Sequence, residues 1–151
     1  MPSQLCYRIS KASSVEDAIL NFDRKPTFGR WNFNNRKVIC ASSSEALTFI
    51  EARAMFGLFF STSKFYLFSF ELPMQLIQPI RQDQLPAGWN SLPATDISRA
   101  FAERELFNKD RLALAVPSVI VPNEFNIIIN PIHSTFRGSL SKVTRIGKLA
   151  R

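Results

Sequence analysis

The sequence is poor in the residues that bind metals or form disulfides. It has only two cysteines, Cys6 and Cys40, and one histidine, His133. Each cysteine stands alone in an apolar, strand-like context without a CxxC spacing, so we expect neither a disulfide framework nor a zinc site. A Ser–His or Cys–His catalytic pair would have to use His133, which follows Asn130-Pro131 and better fits a structural hydrogen bond in a turn. We therefore expect a reducing, cytoplasmic environment and no bound metal.

Long apolar runs and the signature loops of nucleotide-binding proteins are also missing. No stretch approaches the roughly 18 apolar residues that a membrane-spanning helix needs, and residues 1–4 do not predict a signal peptide. There is no GxGxxG, no GxxxxGK and no RNA-binding aromatic signature. These absences exclude the commonest nucleotide-binding and metalloenzyme classes, and no membrane contact is expected.

The 151 residues that are present suffice for one domain with a buried core. The composition is 46% hydrophobic and 21% charged, and the fourteen phenylalanines, which carry no polar group, should lie mostly in that core. The net charge of +7 is uneven, because five basic residues and no acidic residue follow Phe136. We expect a single domain over residues 1–151 with a basic C-terminal segment, residues 137–151. That segment either meets an acidic partner or nucleic acid or is a solvated tail.

The periodicity of apolar residues predicts strands and helices that do not alternate regularly. Helices are expected from Ser14 to about Phe22, from the capping sequence Ser42-Ser43-Ser44-Glu45 to about Gly57, and from Thr95 or Asp96 to about Asn108. Strands are expected at residues 5–10, 37–41, 65–72, 112–116, 125–129 and 140–146. This order favours an α+β fold over a doubly wound sheet.

One carboxylate lies at the edge of a predicted apolar stripe. The helix expected to end near Gly57 carries apolar residues at the spacing of one buried face: Leu47, Ile50, Ala54 and Leu58. Glu51 is four residues after Leu47 and three before Ala54, so it borders or joins that face. A carboxylate there is costly unless it is paired, hydrogen-bonded or open to a cleft, and Arg30 in the preceding loop is a candidate counter-charge. Glu51 is therefore either a cleft carboxylate or a solvated glutamate at the rim.

Two further segments have the residue types of a binding site. Gly29-Arg30-Trp31-Asn32 combines a flexible backbone, a guanidinium that can bind phosphate, a ring that can stack and an amide that donates and accepts. It suits a nucleotide pocket and equally fits a surface turn with a buried Trp31. Ser118 follows Val116-Pro117 just past a predicted strand, where a site could lie, although serine also commonly caps turns.

Taken in chain order, several segments resemble the RES domain, a family named for its characteristic Arg, Glu and Ser. They are Leu5-Cys6-Tyr7-Arg8-Ile9; Gly29-Arg30-Trp31-Asn32, similar to Gly-Gly-Arg-Trp-Asn; Leu47-Thr48-Phe49-Ile50-Glu51; Leu85-Pro86-Ala87-Gly88-Trp89; Ala115-Val116-Pro117-Ser118-Val119-Ile120-Val121; and residues 126–136, similar to the closing Asn-Pro-x-His-x-x-Phe. The resemblance spans nearly the whole chain and makes Arg30, Glu51 and Ser118 the three named residues.

This resemblance implies a fold similar to that of ADP-ribosyltransferases and an enzyme whose substrate is NAD. Toxins of the family deplete NAD by breaking the nicotinamide–ribose bond, as glycohydrolases or phosphorylases. Glu51 would stabilise positive charge on the ribose, Arg30 would hold the pyrophosphate, and Ser118 would orient the nicotinamide or its ribose. The resemblance also assigns substrate-binding positions to Trp31, Asn32, Cys40 and Asn126.

The family further implies an antitoxin partner with a helix-turn-helix DNA-binding region and association of the toxin with itself, whereas direct nucleic-acid binding by the toxin is not expected.

The sequence departs from the family pattern at Phe28, where the first glycine of Gly-Gly is usual, and at Cys40, where Tyr is usual. Three functions therefore stay open. They are NAD cleavage, transfer of ADP-ribose to a protein through the same pocket, and binding by a domain that has lost catalysis, with its basic end against an acidic partner or DNA.

Overall fold

A seven-stranded sheet forms the centre of the computed structural model, which describes residues 2–20, 29–57 and 64–148. The strands are β1 (Ser3–Ser10), β2 (Ile39–Ser42), β3 (Tyr66–Pro73), β4 (Ile77–Pro79), β5 (Ala113–Pro117), β6 (Phe125–Ile129) and β7 (Ser141–Lys148). Their order across the sheet is β4-β5-β6-β2-β1-β3-β7, and all neighbours are antiparallel except β4 and β5. The predicted α+β fold is confirmed.

Helices and helical turns connect these strands. The α-helices in the described part of the chain are α1 (Glu45–Phe56), α2 (Asp96–Ala102) and α3 (Phe136–Ser139), and π-helical turns lie at Glu16–Leu20 and, continuing α2, at Glu103–Phe107. Ser44, not Ser42, caps α1, because the Ser44 Oγ accepts the Leu47 N–H at 3.0 Å. Thr95 caps α2 through the Ile97 N–H. None of the helices within the described ranges has the length and apolar character needed to cross a membrane.

The predicted elements differ from the observed ones mainly at their ends. The first helical turn begins as expected near Ser14, whose Oγ accepts the Asp17 N–H, but the predicted end at Phe22 lies outside the described residues. Strand β4 and helix α3 were not predicted, because elements of three and four residues are too short to show periodicity. β4 exists through its parallel pairing with β5, which is a tertiary interaction.

The core is divided between the two faces of the sheet, because successive strand residues point to opposite sides. On β6, Ile127 and Ile129 pack with Phe68, Phe70 and Phe136. Ile128 points the other way, into a cluster that we call the tryptophan core: Trp31, Trp89, Phe101, Leu106, Leu114 and Val116. Among the phenylalanines that the structure describes, Phe65, Phe68, Phe70, Phe101 and Phe136 are buried as expected, whereas Phe49 and Phe125 are exposed.

Helix α1 buries a different stripe from the predicted one. Leu47, Thr48 and Ala52 are buried, whereas Ile50 and Ala54 are exposed, and Leu58 lies outside the described residues. The prediction was wrong because it counted apolar side chains only, while the helix packs through the polar Thr48 and the small Ala52, which reaches the cluster of Ile9, Phe65 and Leu67. Glu51 follows Leu47 by four residues and Thr48 by three, so it lies on the side of α1 that meets the sheet.

Candidate active site

Three polar side chains from distant segments meet beside α1. The Glu51 Oε2 accepts hydrogen bonds from the Ser118 Oγ at 2.8 Å and from the Asn126 Nδ2 at 2.5 Å. Ser118 directly follows β5, and Asn126 is the second residue of β6, so the pairing of these two strands brings them together. Glu51 is thus a half-buried, hydrogen-bonded carboxylate and not a solvated glutamate at the rim of the helix.

Ser118 uses its full hydrogen-bonding capacity in this arrangement. Its hydroxyl proton is donated to Glu51, and its Oγ accepts the backbone N–H groups of Ile120 and Val121, each at 3.1 Å. A serine hydroxyl has one proton and two acceptor lone pairs. The contacts of Ser118 therefore position the Glu51 carboxylate and the following turn. They leave the hydroxyl no second proton for the contact with nicotinamide or ribose that the resemblance assigned to it.

Asn126 is held from both ends of its amide. Its Nδ2 donates to Glu51, and its Oδ1 accepts a hydrogen bond from the Ser42 Oγ at 2.8 Å. Ser42 stands directly opposite Asn126 in the pairing of β2 with β6. The sequence did not point to Ser42, because nothing in the pattern separates it from the two serines that follow it.

Arg30 comes within electrostatic reach of Glu51. Burial lowers the pKa of Arg30, the negative charge of Glu51 opposes this lowering, and the positive charge of Arg99 adds to it. Two of its guanidinium nitrogens also bind backbone, the Nη1 donating to the Trp89 carbonyl at 2.8 Å and the Nη2 to the Ser91 carbonyl at 3.0 Å. Because a guanidinium has five N–H donors, these two bonds leave it able to bind an anion as well.

Trp31 and Asn32 lie in the interior and support the loop that carries Arg30. Trp31 is 5% exposed, stacks on Trp89 with ring centroids 6.0 Å apart and meets Phe101 edge-on. The Asn32 Nδ2 donates to the Arg36 carbonyl at 2.9 Å. These contacts agree with the alternative of a turn with a buried Trp31, and they give both side chains a structural role. Phe28 lies outside the described residues.

Helix α2 donates two hydrogen bonds to the loop that carries Arg30. The Ser98 Oγ donates to the Arg30 carbonyl at 2.6 Å, and the Arg99 Nε donates to the Gly29 carbonyl at 2.8 Å. A Cβ at Gly29 would lie 2.5 Å from the Asn32 Oδ1, so a larger residue there would displace the Asn32 side chain. The sequence pattern did not identify Ser98 or Arg99, because their role depends on the approach of a helix some seventy residues away.

Cys40 lies on the same face of the sheet as Ser42, because the two residues are two positions apart on β2. It packs against the tryptophan core. Burial raises the pKa of its thiol; the positive charge of Arg8 lowers this pKa, and the negative charge of Glu51 raises it. Cys40 therefore belongs to the surroundings of Glu51.

His133 lies in a turn, where its Nε2 is 2.9 Å from the Asp110 carbonyl and its Nδ1 accepts the Thr135 N–H, as expected for a structural histidine.

Comparison with known proteins places the chain among toxins. The family profile of the RES domain matches residues 5–147. Toxin Res of Yersinia enterocolitica is 29% identical over 139 residues, which cover 92% of this chain and 91% of that protein. Prs ADP-ribosylating toxin of Sphingobium sp. strain YBL2 is 32% identical over 124 residues, which cover 80% of this chain and 77% of that one.

The fold is also found in a solved structure. The crystal structure of the M. tuberculosis MbcT–MbcA toxin–antitoxin complex contains a chain that superimposes with a TM-score of 0.58 at 12% identity, covering 98% of this chain and 84% of that one. This likeness agrees with the fold similar to ADP-ribosyltransferases that the resemblance implied. The match over residues 5–147 and the toxins that cover most of its length show that the chain belongs to the RES-domain family.

Proposed function

We propose that this protein is the toxin of a toxin–antitoxin pair and that it cleaves the nicotinamide–ribose bond of NAD. The family and the names of the relatives support the toxin. The observation that carries the reaction is the Glu51 carboxylate, which Ser118 and Asn126 hold in place within electrostatic reach of Arg30.

In the proposed reaction the bond between the anomeric carbon of ribose and the nicotinamide nitrogen breaks. Its electron pair leaves with the nicotinamide ring, which is cationic in NAD and neutral as a product, so the leaving group needs no proton. Positive charge develops on the anomeric carbon and the ring oxygen, where a fixed carboxylate stabilises it. An oxygen of water then bonds to the anomeric carbon and a proton is released to solvent, or an unprotonated oxygen of phosphate bonds there and no proton needs to leave.

Each site residue has a role in this scheme. Glu51 stabilises the developing charge, and it needs no reorganisation because two donors already fix its Oε2. Arg30 binds the pyrophosphate of NAD, with the positive charge of Arg99 adding to the local potential. Ser118 and Asn126 position Glu51, while Trp31 and Asn32 act through the loop that carries Arg30. Cys40 lies within electrostatic reach of the carboxylate and packs against the tryptophan core.

The family also supports two partners. We infer an antitoxin with a helix-turn-helix DNA-binding region, in line with the toxin–antitoxin complex that contains a chain of this fold. We also infer association of the toxin with itself. We further infer that the chain is one RES domain over residues 1–151. NAD as a substrate is consistent with the cytoplasmic location expected from the sequence.

The test is nicotinamide release from NAD by the purified protein, with and without phosphate. We expect release by the parent chain and a decrease in kcat of at least about 100-fold in Glu51→Gln, which keeps the size of the side chain and removes its charge. Arg30→Lys should mainly raise KM, because a point charge replaces a planar fork of donors. Dependence on phosphate would identify the acceptor.

Two exposed residues provide matched controls. Glu45→Gln removes a carboxylate from the first turn of the same helix, and Arg81→Lys changes an arginine whose side chain is 73% exposed. Both variants should keep the parent rate. The proposal is wrong if folded parent protein, free of any antitoxin, releases no nicotinamide, or if Glu51→Gln and Glu45→Gln behave alike.

A second candidate is transfer of ADP-ribose to a protein through the same pocket. The relative named Prs ADP-ribosylating toxin, 32% identical to this chain, favours it. With NAD labelled in its adenylate part, transfer would leave the label on protein after denaturing precipitation, whereas cleavage by water or phosphate would leave all of it in solution.

A further inference from the structure

Ser42 is a buried serine to which the proposed reaction gives no part. It is the last residue of β2, its relative exposure is 3%, and its Oγ donates to the Asn126 Oδ1 at 2.8 Å. Directly opposed residues on antiparallel strands are the closest neighbours in a sheet. The register of β2 with β6, which pairs Ser42 with Asn126, therefore brings this serine to the amide that holds Glu51.

The two ends of the Asn126 amide are not equivalent. The nitrogen only donates and the oxygen only accepts, and the Glu51 carboxylate accepts a hydrogen bond from the nitrogen. In that orientation the Oδ1 points away from Glu51 and needs a donor, because a buried acceptor without one costs about 1–3 kcal/mol. The Ser42 hydroxyl is that donor. It therefore stabilises the amide orientation that presents the Nδ2 to Glu51.

A second bond ties the same two segments together. The Ser44 Oγ donates to the Glu124 Oε1 at 2.6 Å, two residues before Asn126, while accepting the Leu47 N–H at the start of α1. Residues 42–44 are thus joined to residues 124–126 by the side chains of Ser42 and Ser44 and by the Ser43 N–H, which donates to the Phe125 carbonyl at 3.1 Å. These bonds set the position of α1, and with it Glu51, relative to β6.

We propose that Ser42 is a positioning residue for the RES-domain reaction, acting on the Glu51 carboxylate through the Asn126 amide. Its part in catalysis rests on the proposed function, whereas its effect on the Asn126 amide is independent of any activity. Without the Ser42 hydroxyl the amide can rotate away from Glu51, and the carboxylate loses one of the two donors that fix its Oε2. The ground-state contacts of the substrate elsewhere in the site are unchanged.

The first readout is the side-chain NH₂ resonance pair of Asn126 in a ¹⁵N–¹H spectrum, identified by its absence in Asn126→Ala. In the parent chain we expect one of the two protons to be shifted downfield and protected from exchange, because it is bonded to a carboxylate. In Ser42→Ala both features should diminish, and in Ser42→Thr, which keeps the hydroxyl, they should remain. Ser10→Ala, which removes another buried serine hydroxyl from the neighbouring strand β1, should leave the pair unchanged.

The second readout is the rate of nicotinamide release. Ser42→Ala should lower kcat on the order of 10- to 100-fold, with KM within about twofold of the parent value, because a misplaced reacting group affects the chemical step. In the Asn126→Ala background the same substitution should have little further effect, since the two residues act in series.

The proposal is overturned if the Asn126 resonances are the same in the parent and in Ser42→Ala, or if Ser42→Ala lowers kcat equally with and without Asn126. A parent chain that releases no nicotinamide would refute the proposed function instead. The amide resonances would then still decide whether Ser42 orients Asn126.

Discussion

Glu51 is held by two neutral donors, a serine hydroxyl and an asparagine amide. Hydrogen bonds from neutral groups offset part of the cost of burying a carboxylate, and they leave its negative charge in place. Arg30 lies within electrostatic reach of that charge, and two of its five N–H donors bind backbone carbonyls. At the scale of single residues the candidate site thus keeps a negative and a positive charge near each other, which is the arrangement that the proposed substrate, with its cationic ring and its pyrophosphate, requires.

The residue-scale prediction concerns Cys40, which stands where the family usually has Tyr. Since Cys40 lies near Glu51 and on the site face of β2, Cys40→Tyr should add a ring that stacks on nicotinamide. Aromatic stacking contributes about 0.5–1.5 kcal/mol, so kcat/KM for nicotinamide release should rise by about 2- to 10-fold. The Cys40→Phe variant adds the ring without the hydroxyl, so it shows whether the ring alone accounts for the increase. An unchanged or lower kcat/KM in variants that melt at the parent temperature would contradict this role.

At the scale of elements, the loop that carries Arg30 depends on α2 and on the π-helical turn that continues it. Ser98 and Arg99 hold the loop directly, and Arg36 at its far end forms an ion pair with Glu103 at 2.9 Å. The same turn is anchored to the sheet by Glu105, which binds Lys109 at 3.0 Å and Arg111 at 3.3 Å, just before β5. These contacts make the position of Arg30 a property of a helix distant in sequence.

The element-scale prediction is a pH dependence of stability at Glu105. The hydrogen bond from Lys109 lowers the pKa of this carboxyl, burial opposes the lowering, and Arg104 and Arg111 add to it. A carboxyl whose pKa is lower in the folded chain stabilises it above the unfolded value of about 4.3, and this contribution disappears as the pH falls through the folded pKa. Glu105→Gln should therefore reduce the free energy of unfolding by about 1 kcal/mol near neutral pH.

Urea denaturation near pH 7 and near pH 3 tests this expectation. The difference between Glu105→Gln and the parent chain should shrink at the acidic pH. Asp83→Asn, which changes a carboxylate with a side chain 74% exposed, is the control and should show a small, constant difference. A difference for Glu105→Gln that is equal at both pH values would mean that packing, and not charge, explains its effect.

At the scale of the whole molecule, the sheet assembles the site from segments that are far apart in the chain. Glu51 is separated from Ser118 by 67 residues and from Asn126 by 75. The antiparallel pairings of β2 with β6 and of β6 with β5 place these segments side by side. The candidate site therefore exists only in the folded chain, so a ligand that binds there must stabilise the fold.

The whole-molecule prediction follows from this linkage. In the Glu51→Gln variant, which should bind NAD without consuming it, NAD at about 100 times its Kd should stabilise the fold by about 2.7 kcal/mol. For a domain of this size that raises the melting temperature by roughly 5–10 °C. The Arg30→Lys substitution in the same variant should require more NAD for the same increase. A melting temperature that saturating NAD does not change would exclude NAD binding by this chain.

The sequence by itself determined the secondary structure that has a clear period and the family to which the chain belongs. The run at residues 125–129 became β6 with the predicted bounds, and the order of short motifs identified the RES domain that the family comparison confirmed. It also singled out Glu51, because four residues after Leu47 is one helical turn and the two side chains must share a face. These features are local, because the spacing of apolar residues along the sequence shows the period of a helix or strand directly.

The tertiary structure decided which of the candidate residues meet and what each one contacts. Trp31 became an interior residue because Trp89 covers one of its faces, and the hydroxyl of Ser118 turned to Glu51 because the end of β5 lies beside α1. Ser42 acquired a partner only through the register of β2 and β6. A hydrogen bond needs two groups within about 3 Å in the correct orientation. Residues dozens of positions apart reach that distance only when strand pairing and helix packing have fixed the backbone, and no local pattern contains this information.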